Sequence, residues 1–363
     1  MFMKMQEKDI AAVDLFCGVG GLAYGMHSSG INVAAGIDID KSCRYAFEEN
    51  CNATFIEESV AEIDSKKVKE LYKGAKYKVL VGCAPCQPFS TYTLKADKRK
   101  DSRWQLLNSF SRLIDEIQPD IISMENVPRL AKFKQAPVFK DFVENLRANN
   151  YHVWYDIVYC PDYGIPQKRK RLVLLASKHG EISLIPPTHS KENYVTVKQA
   201  IGKLKKIKAG ESDNNDFFHR ASALSELNLK RIRASKPGGS WKNDWSEELI
   251  LDCHKDEKRK SYGSIYGRMN WDEPSPTMTT FCTGIGNGRF GHPEQDRAIS
   301  LREAAILQSF PKEYKFVRNK EDLSVRSISR HIGNAVPPKL GEVIGESILL
   351  HLNKHKNGKN TTK

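Results

Sequence analysis

Gly82-Cys83-Ala84-Pro85-Cys86-Gln87-Pro88-Phe89-Ser90 puts two thiols three residues apart, directly after the apolar run Tyr77–Val81. The run reads as a short buried strand, so Cys86 is expected just past a strand's carboxyl end, where open α/β sheets keep their chemistry. A thiolate is a strong nucleophile, and cations or a helix start nearby lower a thiol's pKa toward neutrality. Cys86 is therefore the candidate nucleophile. Cys83 and Cys86 also form a CxxC, the pattern of a redox pair or half a zinc site. A structural zinc needs a second pair of ligands, and the cysteines at 17, 43, 51, 160, 253 and 282 never repeat the spacing. No metal site is expected.

Other candidates fall at the ends of further apolar runs. Ile10–Leu15 leads into Phe16-Cys17-Gly18-Val19-Gly20-Gly21-Leu22 and then a helical pattern. Strand, glycine turn and helix start make a nucleotide-type entry, because glycine lets the backbone approach a ligand and the helix start offers free N–H groups. Gly18, Gly20 and Ala23 also satisfy a dinucleotide-binding pattern, which keeps a dehydrogenase in view. Asn32–Ile37 ends at Asp38-Ile39-Asp40, an acid placed to accept ribose hydroxyls under either reading. A third strand near Ala53–Ile56 would bring Glu57-Glu58-Ser59 to the same edge. Glu125 follows the run Asp120–Met124, where burial would raise its pKa enough to carry a proton near neutrality. Arg169 and Arg171, two apart before the strand Leu172–Ala176, are expected on one face.

The elements that must position these residues alternate strand and helix as far as residue 185, the mark of an α/β sheet. A chain of 363 residues buries a large core and is expected to form about two domains. Its net charge of +13 suggests a polyanionic partner. No apolar run approaches a membrane span, the N-terminus lacks a signal peptide's apolar core, and eight scattered cysteines read as reduced thiols. A soluble cytoplasmic protein is expected. After Pro186-Pro187 the chain becomes basic and turn-rich, with Trp241, Trp245, Tyr262, Tyr266 and Trp271 interleaved among lysines and arginines. That mixture suits phosphate positioning and groove contacts. The tail from Lys354 is basic and polar and is expected to be disordered.

Taken together, these blocks resemble the cytosine-C5 DNA methyltransferases. FCGVGG, GIDID, GCAPCQPFS, MENV, QKRKR, REAAILQSF and HIGNAVPP stand in that family's order and at its spacing from residue 13 to about 350. The resemblance implies a doubly wound, Rossmann-like methyltransferase domain of residues 1–185 plus 330–363. It also implies a smaller, irregular target-recognition domain of 186–329, with 186–296 its variable part. The implied methyl donor is S-adenosylmethionine, with Phe16 near the adenine, Gly18, Gly20 and Gly21 around the methionine carboxylate, and Asp38 on the ribose. Ile39 and Ser59 join that set, and Asn334 and Ala335 stand near the methionine end. Ser59 replaces an Asp that many members carry. Cys83 stands where the family often has an aromatic residue, and a change of packing is expected from it.

The implied chemistry begins with Cys86 adding to C6 of cytosine, because C5 is too weak a nucleophile while the ring stays aromatic. A protonated Glu125 would donate to N3 and accept from the exocyclic amine. Arg171 would bind the ring O2, and Arg169 would support the pocket. The base lies inside a duplex and must be rotated out. Ser90 would hold the neighbouring phosphate, and Arg103 and Arg289 would also touch DNA. The expected partners are double-stranded DNA and a restriction endonuclease acting on the same site, and the enzyme is expected to be a monomer. Two alternatives stand beside this reading: a tRNA cytosine-C5 methyltransferase, which shares the motifs, and a non-catalytic DNA-binding relative. The large recognition segment with its PSPT and GRFGHPE blocks favours DNA, and the intact Cys86, Glu125, Arg169 and Arg171 favour catalysis.

Overall fold

The computed structural model describes residues 9–85, 105–132, 138–255 and 263–360. The chain divides into two compact units, one of residues 1–159, 170–187 and 335–363, the other of 160–169 and 188–334.

The first unit is built on a seven-stranded sheet of order β3-β2-β1-β4-β5-β7-β6. Its strands are β1 (Ile10–Leu15), β2 (Asn32–Asp38), β3 (Thr54–Glu57), β4 (Tyr77–Gly82), β5 (Ile121–Asn126), β6 (His152–Tyr159) and β7 (Lys170–Ser177). β1 to β5 pair in parallel, whereas β7 runs antiparallel to both β5 and β6. Every residue of β1 and β5 is buried, as expected of strands covered on both faces. From β1 the chain winds outward through β2 to β3, then restarts on the other side with β4. This reversal puts the switch point of a doubly wound fold at the carboxyl ends of β1 and β4, where Leu15 pairs with Gly82.

Helices α1 (Gly21–Ser28), α2 (Arg44–Cys51), α3 (Ser65–Glu70), α4 (Gln105–Ile117) and α5 (Val138–Ala148) connect the strands. Phe110, Leu113 and Ile114 of α4, with Phe139, Phe142 and Leu146 of α5, join Val13, Leu15, Leu80 and Ile122 in one apolar core. No apolar periodicity predicts α3. It is a polar segment of two turns, begun by the Asp64 carboxylate on the Lys66 N–H, and its Ser65 and Val68 are buried.

The second unit is irregular. It carries α6 (Val197–Ile201), α7 (Glu226–Ala234), α8 (Trp241–Asp244), α9 (Asp252–Lys255), α10 (Leu301–Leu307) and α11 (Val325–Asn334). The chain then returns to the first unit as α12 (Pro338–Asn360). Glycines set how closely α12 approaches α1. A β-carbon on Gly25 would lie 2.1 Å from the Pro338 carbonyl, and one on Gly341 would lie 2.7 Å from that of Leu22. The expected disorder from Lys354 is corrected here, since α12 continues to Asn360. Extending an existing helix gains a hydrogen bond for each residue ordered, and the His355 ring packs on that of His179 with centroids 4.5 Å apart. Among the described residues no helix is long and apolar enough to cross a membrane.

Candidate active site

Two clusters occupy the switch-point edge of the first unit. The first is the glycine loop after β1. Phe16, Gly18 and Gly20 all take positive φ, at 58°, 51° and 89°. This tight path returns the chain into α1, whose N-cap is Gly20. The Gly18 N–H donates to Asp38 Oδ2 at 2.8 Å, while the Asp40 N–H donates to Asp38 Oδ1 at 2.9 Å. Both oxygens of the carboxylate at the tip of β2 are thus fixed by backbone. A β-carbon on Gly18 would meet nothing within 4 Å, so the loop leaves a cradle there. Beside Asp38, the Ile39 side chain is 73% exposed. Gly21 serves packing: a β-carbon there would lie 2.1 Å from the Val336 carbonyl oxygen and 3.5 Å from the Ala335 β-carbon. Ser59 spends its hydroxyl on the Ala61 N–H.

The second cluster surrounds Glu125, which is 2% exposed. The apolar run predicts a strand ending at Met124; the structure carries it through Asn126. The parallel ladder with β4 ends at Gly82 and Met124, and β7 alone pairs Glu125 and Asn126, opposite Val173 and Leu172. The β4 side of those two residues is therefore open to the chain leaving β4. There the Cys83 thiol donates to Glu125 Oε2 at 2.8 Å, and Asn126 Nδ2 donates to the Ala84 carbonyl at 3.1 Å. Arg171 lies two residues from Val173 and shares its face, the diagonal position across an antiparallel pair. Its Nε stands 2.7 Å from Glu125 Oε1 as an ion pair, without the alignment of a hydrogen bond. Oε1 is buried and has no hydrogen-bond partner among the described residues. A buried carboxylate oxygen left in that state calls for a functional explanation.

Cys86, Ser90 and Arg103 lie outside the described residues. The described residues that leave β4 are held by the Asn126 contact at Ala84 and by the Cys83 N–H, which donates to the Leu15 carbonyl at 3.3 Å. Arg169 parts from Arg171 and belongs to the second unit. It is buried there, donating to the carbonyls of Met278 at 3.1 Å and Gly333 at 3.4 Å. Gln167 in the same strip accepts from the Met278 N–H and donates to the Leu307 carbonyl, so QKRKR is zipped to the PSPTM segment. Asn334 is the exposed last residue of α11, and Arg289 donates to the Gly239 carbonyl.

The aromatic-basic mixture of the second unit also reads differently once folded. Trp241 and Trp245 are buried with Leu249 in a local core, and Arg231 lies over the rings of Trp245 and Tyr266. Lys205, Lys206, Arg233 and Lys255 each pair with a carboxylate. These residues hold the unit together before they hold anything else. Deeper in, Arg297 and Glu303 form a solvent-excluded pair through two hydrogen bonds of 2.7 Å. Burial alone would push the Glu303 carboxyl up, but Arg297, His292 and the Ser300 N–H outweigh it and hold it below the usual range.

Three further residues stand at the site, beyond those that motif and spacing single out. Asn126 sat inside a quoted motif without a task, and Cys83 was assigned to packing. Asp14 interrupts the apolar run of β1; burial, with Asp38 adding, pushes its carboxyl well up, and it accepts from the Ala23 N–H. An acid within an otherwise apolar strand was the available signal for it.

Residues 10–350 match the family model of C-5 cytosine-specific DNA methylases. The Type II methylase M.HgiDII of Herpetosiphon aurantiacus is 56% identical over 338 residues, covering 93% of this chain and 94% of its own. The Type II methyltransferase M1.BsuMI of Bacillus subtilis (strain 168) is 32% identical over 363 residues, covering 94% of this chain and 81% of its own. Among solved structures, a prophage-encoded E. coli protein described as a DNA modification methyltransferase is similar in fold, with a TM-score of 0.72 and 23% identity. The match covers 95% of this chain and 99% of that one. The Entamoeba histolytica methyltransferase EhMeth is similar at a TM-score of 0.65 and 18% identity, over 96% and 99% of the two chains. With a doubly wound sheet, a glycine loop at its switch point and a matching family model over almost the whole chain, this protein belongs to the C-5 cytosine-specific DNA methylases, which methylate carbon 5 of cytosine in DNA.

Proposed function

We propose that the chain is the modification enzyme of a Type II system, methylating one cytosine of a short duplex site and shielding it from an endonuclease of the same specificity. The Type II relatives support the class. The observation that carries the chemistry is the buried Glu125 Oε1, braced beside Arg171 and lacking a hydrogen-bond partner among the described residues.

S-adenosylmethionine, when bound, supplies an electrophilic methyl group. The residues present fit it. The open cradle at Gly18 suits the methionine end, with Gly20, Gly21 and Ala335 of the same unit beside it. The fixed Asp38 carboxylate suits two ribose hydroxyls, and the exposed Ile39 suits the flat adenine face, with Phe16 and Ser59 completing that side.

Cys86 is the nucleophile, forming its bond to C6 of a cytosine turned out of the duplex. Cys83, whose thiol is committed to Glu125 Oε2, is the poorer candidate. Glu125, carrying a proton on Oε1, donates it to N3 and accepts from the exocyclic amine, and Arg171 donates to O2. Arg169 holds the turn entering β7 and so positions Arg171 two residues later. Loss of the C5 proton and elimination of Cys86 restore the ring. The first unit does this chemistry. The second, with Arg289, reads the DNA, while Ser90 holds the phosphate beside the flipped nucleotide and Arg103 touches DNA.

Transfer of radiolabelled methyl from S-adenosylmethionine to duplex DNA, with tRNA assayed alongside, tests the class. Bisulfite sequencing of DNA from a host expressing the chain gives the site and strand. The expected result is label in duplex DNA at one short sequence and a covalent adduct with a 5-fluorocytosine duplex. Label in tRNA alone, or methylation without site preference, would overturn the reading.

A further inference from the structure

Glu125 is addressed by two side chains, Arg171 of β7 and Cys83 just after β4, and the second has no place in the chemistry described so far. Cys83 follows β4 immediately. Its N–H is tied to the Leu15 carbonyl, and the next residue's carbonyl is tied to Asn126. The backbone on either side of its β-carbon is therefore held, and the thiol is aimed across the strand gap onto Glu125 Oε2 at 2.8 Å. The S–H is the donor and Glu125 Oε2 the acceptor.

We propose that Cys83 is a positioning residue of the methyltransferase reaction: its thiol pins Oε2, so that Oε1, although 2.7 Å from Arg171 Nε, keeps the unaligned orientation that leaves it able to meet the cytosine. The inference rests on the proposed contact of Glu125 with the base. Its physical basis is the geometry of the Arg171 pair. Guanidinium and carboxylate prefer a two-pronged, hydrogen-bonded fork, yet here Nε reaches Oε1 as an unaligned ion pair. Rotation of the carboxylate is what would convert the one into the other. The Cys83 bond opposes that rotation by holding the far oxygen. Without it Glu125 settles on Arg171, and both groups are withdrawn from the base together. The residue that follows is Ala84, whose carbonyl bond to Asn126 does not depend on the Cys83 side chain, so the path toward Cys86 is left in place.

The test compares Cys83→Ser, Cys83→Ala and Cys83→Val for kcat, for KM toward duplex DNA, for S-adenosylmethionine binding and for unfolding midpoint. Loss of a hydrogen bond to a charged group costs about tenfold or more in the step that needs it. The expected result is a drop of that size in kcat for Cys83→Ala and Cys83→Val, with KM, cofactor binding and midpoint near wild type. Cys83→Ser, which keeps a donor, returns to within about threefold of wild type. Wild-type kcat in Cys83→Val, or an equal loss in Cys83→Ser and Cys83→Ala, overturns the proposal. A second arm needs no DNA and no turnover. The S–H stretching band that disappears in Cys83→Ser is followed in Glu125→Gln, and a shift of that band supports the bond. An unmoved band overturns it even if methylation of DNA is normal, and a shifted band with label in tRNA alone faults only the reading of the substrate.

Discussion

The backbone N–H of Gly18 donates to Asp38 Oδ2 at 2.8 Å, joining the loop after β1 to the tip of β2. With the Asp40 N–H on Oδ1, the carboxylate stands at one orientation before any ligand arrives. Asp38→Ala is expected to weaken S-adenosylmethionine binding by about tenfold or more, the value of hydrogen bonds to a charged acceptor. DNA binding in the absence of cofactor should be unchanged. Calorimetry with each ligand checks both halves, and equal losses for the two ligands would show that Asp38 acts on the fold alone.

Glu125→Gln keeps the shape of the side chain and removes its charge and its proton-transfer capacity. Turnover is expected to fall by ~10²–10⁴, the usual contribution of a positioned acid-base group. Arg171 would also lose its ion-pair partner, so some stability is lost with it. Single-turnover methylation, read beside the unfolding midpoint, separates the two effects. Retention of more than a tenth of wild-type turnover would remove Glu125 from the chemistry.

The strands and glycine turns were legible because buried parallel strands read as continuous apolar runs. The six residues of β1 stand where the pattern put them. The Cys83–Glu125 bond was not legible. It joins residues 42 apart and depends on β4 stopping two residues short of β5, a register no local pattern encodes. For the same reason Arg169 and Arg171, neighbours in one motif, could not be seen to serve different units. Tryptophans beside lysines read as a DNA-facing surface, whereas Trp241 and Trp245 are needed to build a core in a segment with few long apolar periods.

His292 sets an acid limit on the second unit. Burial first, with Arg297 and Arg268 adding, lowers its pKa to about 4, against the upward pull of Glu303 and Glu294. Its Nδ1 accepts from the N–H groups of Glu294 and Gln295, so protonation there breaks two hydrogen bonds. The unfolded imidazole takes a proton near pH 6.5 and the folded one only near 4. Stability from this group is complete above about pH 6.5 and declines as pH falls toward 4, by at most ~3 kcal/mol. His292→Asn keeps an acceptor but cannot titrate. Urea unfolding at pH 7, 6 and 5 should show the wild type losing more stability than the variant. Parallel pH dependences would reject the assignment.

The division of labour between the units is tested by substitutions chosen on burial within the second one. Lys230, Lys242 and Arg289 are exposed or half-buried, whereas Trp241 is 5% exposed. An alanine at a phosphate contact weakens binding to all duplexes alike and lowers the slope of log affinity against log salt by about 1. One at a base contact costs roughly 1–3 kcal/mol of discrimination between cognate and single-mismatch duplexes. Trp241→Ala should instead cost ~3–5 kcal/mol of stability and lose DNA binding by unfolding the local core. None of the three polar substitutions should alter S-adenosylmethionine affinity, because the proposed cofactor residues Gly18, Gly20 and Asp38 belong to the first unit and sites without shared partners act independently. Calorimetry for the cofactor and methylation of cognate and mismatched duplexes at several salt concentrations measure all of this. If Lys230→Ala, Lys242→Ala and Arg289→Ala lose cofactor affinity while site preference and salt slope stay fixed, the second unit is a support for the first and not the part that reads DNA.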